Sequence, residues 1–187
     1  MEAPLETITL DNGNSLEIYH DEDCENPREN DNLEKMICFH RRYDIGDKHD
    51  YNSSDFSGWN EVQKQIEKDY DVAIIMPLYL YDHSGISIST SHIYPYNDPW
   101  DAGQVGFVFI SKKDIRENWS VKRISPKLKN RVEQYVIDQV KEYDLYVRGE
   151  TYGYVEKNPE GEIVDSCGGF IGFEAIKLEK NLEDVTV

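Results

Sequence analysis

Segments with the composition of β-strands follow one another through hairpins and short loops in this chain, and they do not alternate regularly with helices. Asn12-Gly13 lies in a turn between two such segments near the N-terminus, and Asn158–Gly161 lies in a similar turn near the C-terminus. Turns of this composition are typical of β-hairpins. Because the strands do not alternate with helices, a doubly wound parallel sheet is disfavoured. The sequence therefore predicts an α+β protein with a mainly antiparallel sheet of about seven strands.

Two amphipathic helices are predicted to pack on this sheet. An apolar stripe at spacings of three and four residues runs from Leu128 to Val147, and Ser125 precedes it as a suitable N-cap. A shorter segment upstream has the same periodicity. Val72–Tyr81 is the most apolar segment and is predicted to be a central strand, with an irregularity at Pro77, which has no N–H for a ladder. The predicted helices span about 57–69 and about 126–148.

The length of 187 residues fits one domain over 1–187, with an acidic loop at 21–35 and a frayed tail at 179–187. Neither a membrane-spanning apolar run nor the apolar region of a signal peptide is recognisable. The three cysteines are odd in number and widely spaced, which argues against a disulfide framework and a structural zinc site. These features predict a protein of a reducing cytoplasm, with no cofactor, no bound metal and no membrane association.

Negative charge is the strongest compositional signal. The chain has 37 acidic and 20 basic residues, for a formal net charge of −17. The excess lies at the two ends of the chain, because residues 1–35 carry a net −9 and residues 150–187 a net −6. A field of this sign repels nucleic acid and anionic membranes and attracts basic protein surfaces. Solubility alone is the alternative explanation of this charge.

Three other groups of residues have the composition of functional sites. A strand through Cys38, His40 and Arg42 would place these side chains on one face, for nucleophilic or phosphoryl chemistry or as a structural polar network. The aromatic loop 91–104 is either a recognition surface or a lid folded back on the sheet. Imidazole and carboxylate groups at predicted strand ends suit a metal-dependent hydrolase or a nucleotide-modifying enzyme. The candidate catalytic residues for that enzyme are His40, Asp47, Asp82, His83 and Asp101.

Several motifs together resemble a family of small uncharacterised proteins of bacteriophages and other mobile elements. They comprise Asp31–Leu33, CFHRRY at Cys38–Tyr43 with Gly46-Asp47, PLYLYDHSGI at Pro77–Ile86, and Pro99–Asp101 with Gly103–Gly106. The resemblance extends from about Leu16 to Phe173. It implies an accessory protein of a mobile element in a bacterial cytoplasm, and it implies no activity and no functional residue.

Charge and context together lead to the main functional hypothesis. We expect a non-enzymatic protein that binds and inhibits a basic, nucleic-acid-handling host protein, as a possible DNA mimic that counters host defence. It would not bind nucleic acid itself. The metal-dependent enzyme is the alternative. The expected contact residues are Asp21, Glu22, Asp23, Glu25, Glu29 and Asp31, together with Glu156, Glu160 and Glu162 if the two acidic ends meet.

Overall fold

The computed structural model describes residues 3–98 and 100–182, and the contacts divide the chain into two compact units. The central unit comprises Arg28–Asp144, and the terminal unit comprises Met1–Pro27 with Leu145–Val187. The predicted α+β class is confirmed, and the expected number of strands is roughly met. That the whole chain folds as one domain stays a prediction.

The strands in chain order are β1 (Glu6–Thr9), β2 (Ser15–His20), β3 (Lys35–Cys38), β4 (Val72–Asp82), β5 (Ile86–Thr90), β6 (Ala102–Ser111), β7 (Thr151–Lys157) and β8 (Ile163–Ile171). The helices are α1 (Trp59–Asp69), α2 (Lys112–Asn118), α3 (Pro126–Val147) and α4 (Phe173–Lys180), and short 3-10 helices cover Pro27–Glu29 and Ser53–Asp55. Both predicted amphipathic helices are therefore present as α1 and α3, each within two residues of its predicted ends.

The strands form two four-stranded antiparallel sheets, where the sequence predicts one. The terminal unit has the order β1-β2-β7-β8, and the central unit has the order β3-β6-β4-β5. The division arises because β2 pairs with β7, which follows it after most of the length of the chain. Hairpin signals are local, so they do not reveal this pairing.

The central sheet carries α1 on one face. Val62 and Ile66 of α1 pack against a cluster of buried apolar side chains on β3 and β6, which consists of Ile37, Phe107 and Phe109. Met36 and Val108 point to the opposite face of the same strands and are fully buried. Both faces of these strands are thus apolar, which explains why consecutive residues of β6 are buried from Val105 to Ile110.

The predicted irregularity at Pro77 appears beside that residue as a change of register. β4 continues through Pro77, which lies opposite Phe107 of β6, and the register shifts between Leu78 and Tyr79. Pairing of β4 with β5 begins only at Leu78. Because Pro77 precedes this pairing, its missing N–H removes no bond from the ladder between β4 and β5.

The terminal sheet carries α4 on one face. Leu16 and Ile18 of β2, Tyr154 of β7 and Ile176 of α4 form its buried core. No sequence pattern predicts α4, and this helix includes Glu179 and Lys180, where a frayed tail is expected. Residues 183–187 of the predicted tail and Pro99 of the third motif lie outside the described residues.

Candidate functional site

The terminal unit holds most of the negative charge of the protein. Its sequence contains 17 acidic and 4 basic residues, a net charge of −13, whereas the larger central unit contains 20 acidic and 16 basic residues, a net charge of −4. Most of the acidic excess at the two chain ends therefore belongs to the sequence of this unit. We call this unit the acidic unit.

Each basic residue of the acidic unit forms an ion pair within that unit. Lys157 pairs with Glu17 at 2.6 Å, Lys177 with Glu174 at 2.7 Å, and Arg148 with Glu150 at 2.6 Å. Lys180 pairs with both Glu156 and Asp165. These ion pairs engage five carboxylates of the unit, Glu17, Glu150, Glu156, Asp165 and Glu174.

Seven of the other carboxylates lie in two groups at opposite ends of the ladder between β2 and β7. The loop cluster comprises Asp21, Glu22, Asp23 and Glu25, and it follows the end of β2 at which His20 pairs with Tyr152. The tip cluster comprises Asp11, Glu160 and Glu162, in the two turns at the end at which Ser15 pairs with Lys157. Five residues of strand separate the ends, which corresponds to roughly 17 Å.

Asp21 differs from its neighbours because the fold uses its side chain. Its carboxylate accepts backbone hydrogen bonds from Gly169 of β8 at 2.6 Å and from Asp23 at 3.1 Å. A side chain on Gly168 would approach the Asp21 Oδ2 atom to 2.6 Å. Glu22, Asp23 and Glu25 are exposed. Asp21 thus fixes the loop against β8, and the other three carboxylates are free to contact a partner.

The other predicted contact residues lie in different surroundings. Glu160 and Glu162 are exposed, but Glu156 is buried and bound by Lys180 and Asn14. Glu29 and Asp31 are exposed and belong to the central unit. The two acidic ends of the chain do meet in one sheet, although the loop cluster and the tip cluster lie at different ends of it.

Lys180 forms the main polar contact between α4 and the terminal sheet. Its ammonium group lies 2.8 Å from Glu156 Oε2, 2.6 Å from Asp165 Oδ2 and 4.1 Å from the ring centroid of Tyr154. Hydrogen bonds from Asn14 and then Lys180 lower the pKa of Glu156, and the hydrogen bond from Lys180 lowers the pKa of Asp165 most. Both carboxyl groups therefore bind protons less readily in the folded state.

Because of these ion pairs, we expect the stability of the terminal sheet to depend on pH, and we expect Lys180→Met to weaken that dependence. A lowered pKa stabilises the fold above the ordinary carboxyl pKa, and this contribution is lost as the pH falls through the folded value. We expect Lys180→Met to lower the protection of β7 amides against hydrogen exchange at pH 7. We also expect this protection to decrease less in the variant than in wild type as the pH falls from about 5 to about 3. Lys177→Met is the matched control, because it removes one charge from the same helix but its partner Glu174 is exposed. Equal effects of the two variants would contradict the assignment.

The predicted histidine and aspartate cluster is only partly brought together. Asp82 ends β4 and accepts hydrogen bonds from Arg42 and, at 3.1 Å, from the Tyr43 hydroxyl. His83 Nδ1 lies 2.9 Å from Asp101 Oδ2, and the backbone of Asp82 donates to the carbonyl of Asp101. These side chains pair with one another at the end of the sheet. Within the described ranges, no three metal-binding side chains are arranged to share an ion.

Asp47 lies in a different environment from the other four candidates. Its carboxylate accepts two hydrogen bonds from Arg28, at 2.8 and 2.9 Å, and one from the backbone N–H of Met36. Arg28 also contacts the carboxylate of Glu34, whose other oxygen accepts from Tyr135. Asp47 therefore belongs to a buried ion network that holds the segment around β3.

The predicted strand through Cys38, His40 and Arg42 ends at Cys38, so these side chains do not share a strand face. His40 Nδ1 accepts from the backbone N–H groups of Arg42 and Tyr43, which turns the chain away from the sheet. Burial, and then the charge of Arg42, lowers the pKa of His40. Burial raises the pKa of the Cys38 thiol to about 12, which leaves it protonated and a poor nucleophile at neutral pH.

The aromatic loop 91–104 has features of both a lid folded back on the sheet and a recognition surface. Tyr94 and Tyr96 fold back on the sheet, where their rings contact Tyr79 at 5.2 Å and Tyr81 at 5.5 Å respectively. Trp100 is 91% exposed, so its indole is available to a partner. Part of the loop covers β4, and another part forms an exposed surface.

The central unit contains a pocket that local sequence patterns do not predict. Aromatic rings that are distant in sequence surround it, namely Phe39, His49, Tyr51, Phe56 and Trp59. Trp59 begins α1, and the other four rings lie in the segment 39–58, where a short 3-10 helix is the one regular element described. Its position depends on how the segment 39–58 folds over α1 and β6, which a local pattern does not reveal.

The comparisons with known proteins and the search for membrane spans are negative. No protein-family model, no curated protein and no solved structure matches the chain. None of the helices in the described ranges combines the length and the apolar character that a bilayer-spanning segment needs.

Proposed function

We propose that this protein binds a basic surface of another protein through the acidic unit. The observation that carries the proposal is the engagement of every basic residue of that unit in an internal ion pair, while the unit keeps a net charge of −13. A charge of this size costs stability through self-repulsion unless it is screened or bound. A basic partner would reduce that cost and would associate rapidly through electrostatic attraction.

The partner class that fits best is a nucleic-acid-handling protein. Such proteins carry continuous basic grooves, and carboxylates at the two ends of the ladder between β2 and β7 would contact a surface over roughly 17 Å. The resemblance to mobile-element proteins supports a host protein, such as a defence nuclease, as the target. In this proposal the protein competes with nucleic acid for the groove and does not bind nucleic acid itself, because phosphates would be repelled.

A pull-down with matched charge variants tests the proposal. The loop variant Glu22→Gln, Asp23→Asn and Glu25→Gln removes three exposed carboxylates of the loop cluster and leaves Asp21 in place. The control variant Asp44→Asn, Glu67→Gln and Glu142→Gln removes three exposed carboxylates of the central unit. Wild-type protein, loop variant and control variant are each used as bait in nuclease-treated bacterial lysate at low salt and eluted with increasing salt.

We expect wild type and control to retain the same nucleic-acid-binding protein and the loop variant to bind it about tenfold more weakly, because each exposed charge pair contributes up to about 1 kcal/mol. Release by moderate salt would agree with the electrostatic mechanism. Retention of the same proteins to the same extent by all three baits would contradict the proposal.

A further inference from the structure

The aromatic pocket of the central unit has the size and the walls of a small-molecule site. Its volume is about 650 Å³, within the range of roughly 300–1,000 Å³ that ligand pockets occupy. Phe39 contacts Phe56 and Trp59 at centroid distances of 6.4 and 6.1 Å, and Tyr51 contacts Phe56 at 6.3 Å. The interplanar angles of these pairs lie between 52° and 66°, so the rings meet as inclined walls.

These rings are only partly buried, although they pack on the core of the unit. The Tyr51 hydroxyl donates to Asp69, which holds that ring by its polar end. Large aromatic side chains that surround a cavity and keep one side accessible present a flat apolar surface to a planar molecule. The walls therefore favour a ligand with an aromatic ring system.

His49 adds an imidazole ring to the lining of the pocket. Its Nε2 atom lies 2.9 Å from the carbonyl oxygen of Cys38, and a carbonyl only accepts, so Nε2 carries the proton. Nδ1 is buried and has no hydrogen-bond partner among the described residues. Because this atom has almost no accessible surface, a ligand in the pocket contacts the imidazole ring and not Nδ1.

Arg41 supplies a positive charge to the same lining. It is exposed and forms no salt bridge within the described part of the chain. A guanidinium group binds phosphate oxygens through paired, charge-assisted hydrogen bonds. Asp50 also lines the pocket and opposes ligands that carry several negative charges.

We infer that this pocket binds a nucleoside monophosphate. The base would contact the aromatic walls, and the phosphate would pair with Arg41. A simple organic cation would be repelled by Arg41 and would leave most of the cavity unfilled. This site lies in the central unit and is independent of the binding function proposed for the acidic unit.

Isothermal titration of the full-length protein tests the inference. The probes are the 5′-monophosphates of adenosine, guanosine, cytidine and uridine, the four nucleosides, and inorganic phosphate. We expect at least one monophosphate to bind about tenfold or more tightly than its nucleoside, because a hydrogen bond to a charged group contributes about 1.5–3 kcal/mol. Binding should also change the fluorescence of Trp59.

Two substitutions assign the contacts. Arg41→Gln should remove the advantage of the monophosphate and leave the affinity for the nucleoside unchanged, whereas Arg131→Gln, an exposed arginine of α3, should change neither. Phe56→Leu should weaken both ligands about tenfold, since stacking on one aromatic ring contributes about 1–3 kcal/mol. Native circular dichroism of each variant verifies folding.

Three results would overturn the inference. They are no binding of any monophosphate up to roughly 10 mM, equal loss of affinity in Arg41→Gln and Arg131→Gln, or binding of inorganic phosphate as tight as that of the monophosphates.

Discussion

Replacing Gly106 with alanine is expected to lower the free energy of unfolding of the central unit by about 3 kcal/mol or more. Gly106 lies in β6 between Cys38 of β3 and Leu78 of β4. A Cβ atom at this position would lie 1.8 Å from the carbonyl oxygen and 2.8 Å from the carbonyl carbon of Ile37. These are backbone atoms of a paired strand, so they move only if the ladder between β3 and β6 opens.

Gly103→Ala is the matched control in the same strand. A Cβ atom on Gly103 would meet no other atom within 4 Å, so we expect a change within about 0.5 kcal/mol. Urea unfolding followed by tryptophan fluorescence measures both variants, because the three tryptophans of the protein all lie in the central unit. Equal stabilities of the two variants would show that β3 does not approach β6 as closely as described.

Replacing Arg28 with methionine is expected to destabilise the same unit by about 3–5 kcal/mol. The Arg28 side chain is 3% exposed and lies between two carboxylates, Glu34, which is fully buried, and Asp47. Removal of the guanidinium group leaves both negative charges without their basic partner. The network joins the segments before and after β3 to Tyr135 of α3, so its loss should loosen all three.

The control and the rescue for Arg28 use the same denaturation experiment. Arg42→Met removes an arginine whose side chain is 68% exposed and which pairs with Asp82, so we expect a change of at most about 1 kcal/mol. Adding Glu34→Gln to Arg28→Met should restore part of the lost stability, because it removes one of the two stranded charges. A loss for Arg28→Met no larger than that for Arg42→Met would mean that the network is structurally unimportant.

Local periodicity predicts α1 and α3, which have regular apolar stripes, but it does not predict α4. α3 has a stripe over its whole length, and Ser125 caps it, because the Ser125 hydroxyl oxygen accepts a hydrogen bond from the backbone N–H of Leu128. α4 has eight residues and only Ile176 fully buried, and Gly172 precedes it without a side-chain cap. Such a helix forms because the terminal sheet offers it an apolar face.

The surroundings of a candidate site residue can be predicted from the sequence where local composition determines whether its side chain is exposed. The exposed carboxylates of the loop cluster follow from an acidic segment with few apolar residues. The burial of Glu156 does not, because it depends on Lys180 and Asn14 from other parts of the acidic unit. Asp47 likewise pairs with Arg28 and not with the other predicted catalytic residues, since a folded loop returns it to β3.

The central claim is that the acidic unit occupies a groove that otherwise holds nucleic acid. The most direct test titrates wild type, loop variant and control variant into a complex of the captured partner with fluorescently labelled duplex DNA, and follows release of the DNA by anisotropy. We predict that wild type and control release the DNA at equal concentrations and that the loop variant requires about ten times more protein. Formation of a ternary complex without release of DNA, or equal release by all three proteins, would contradict the claim.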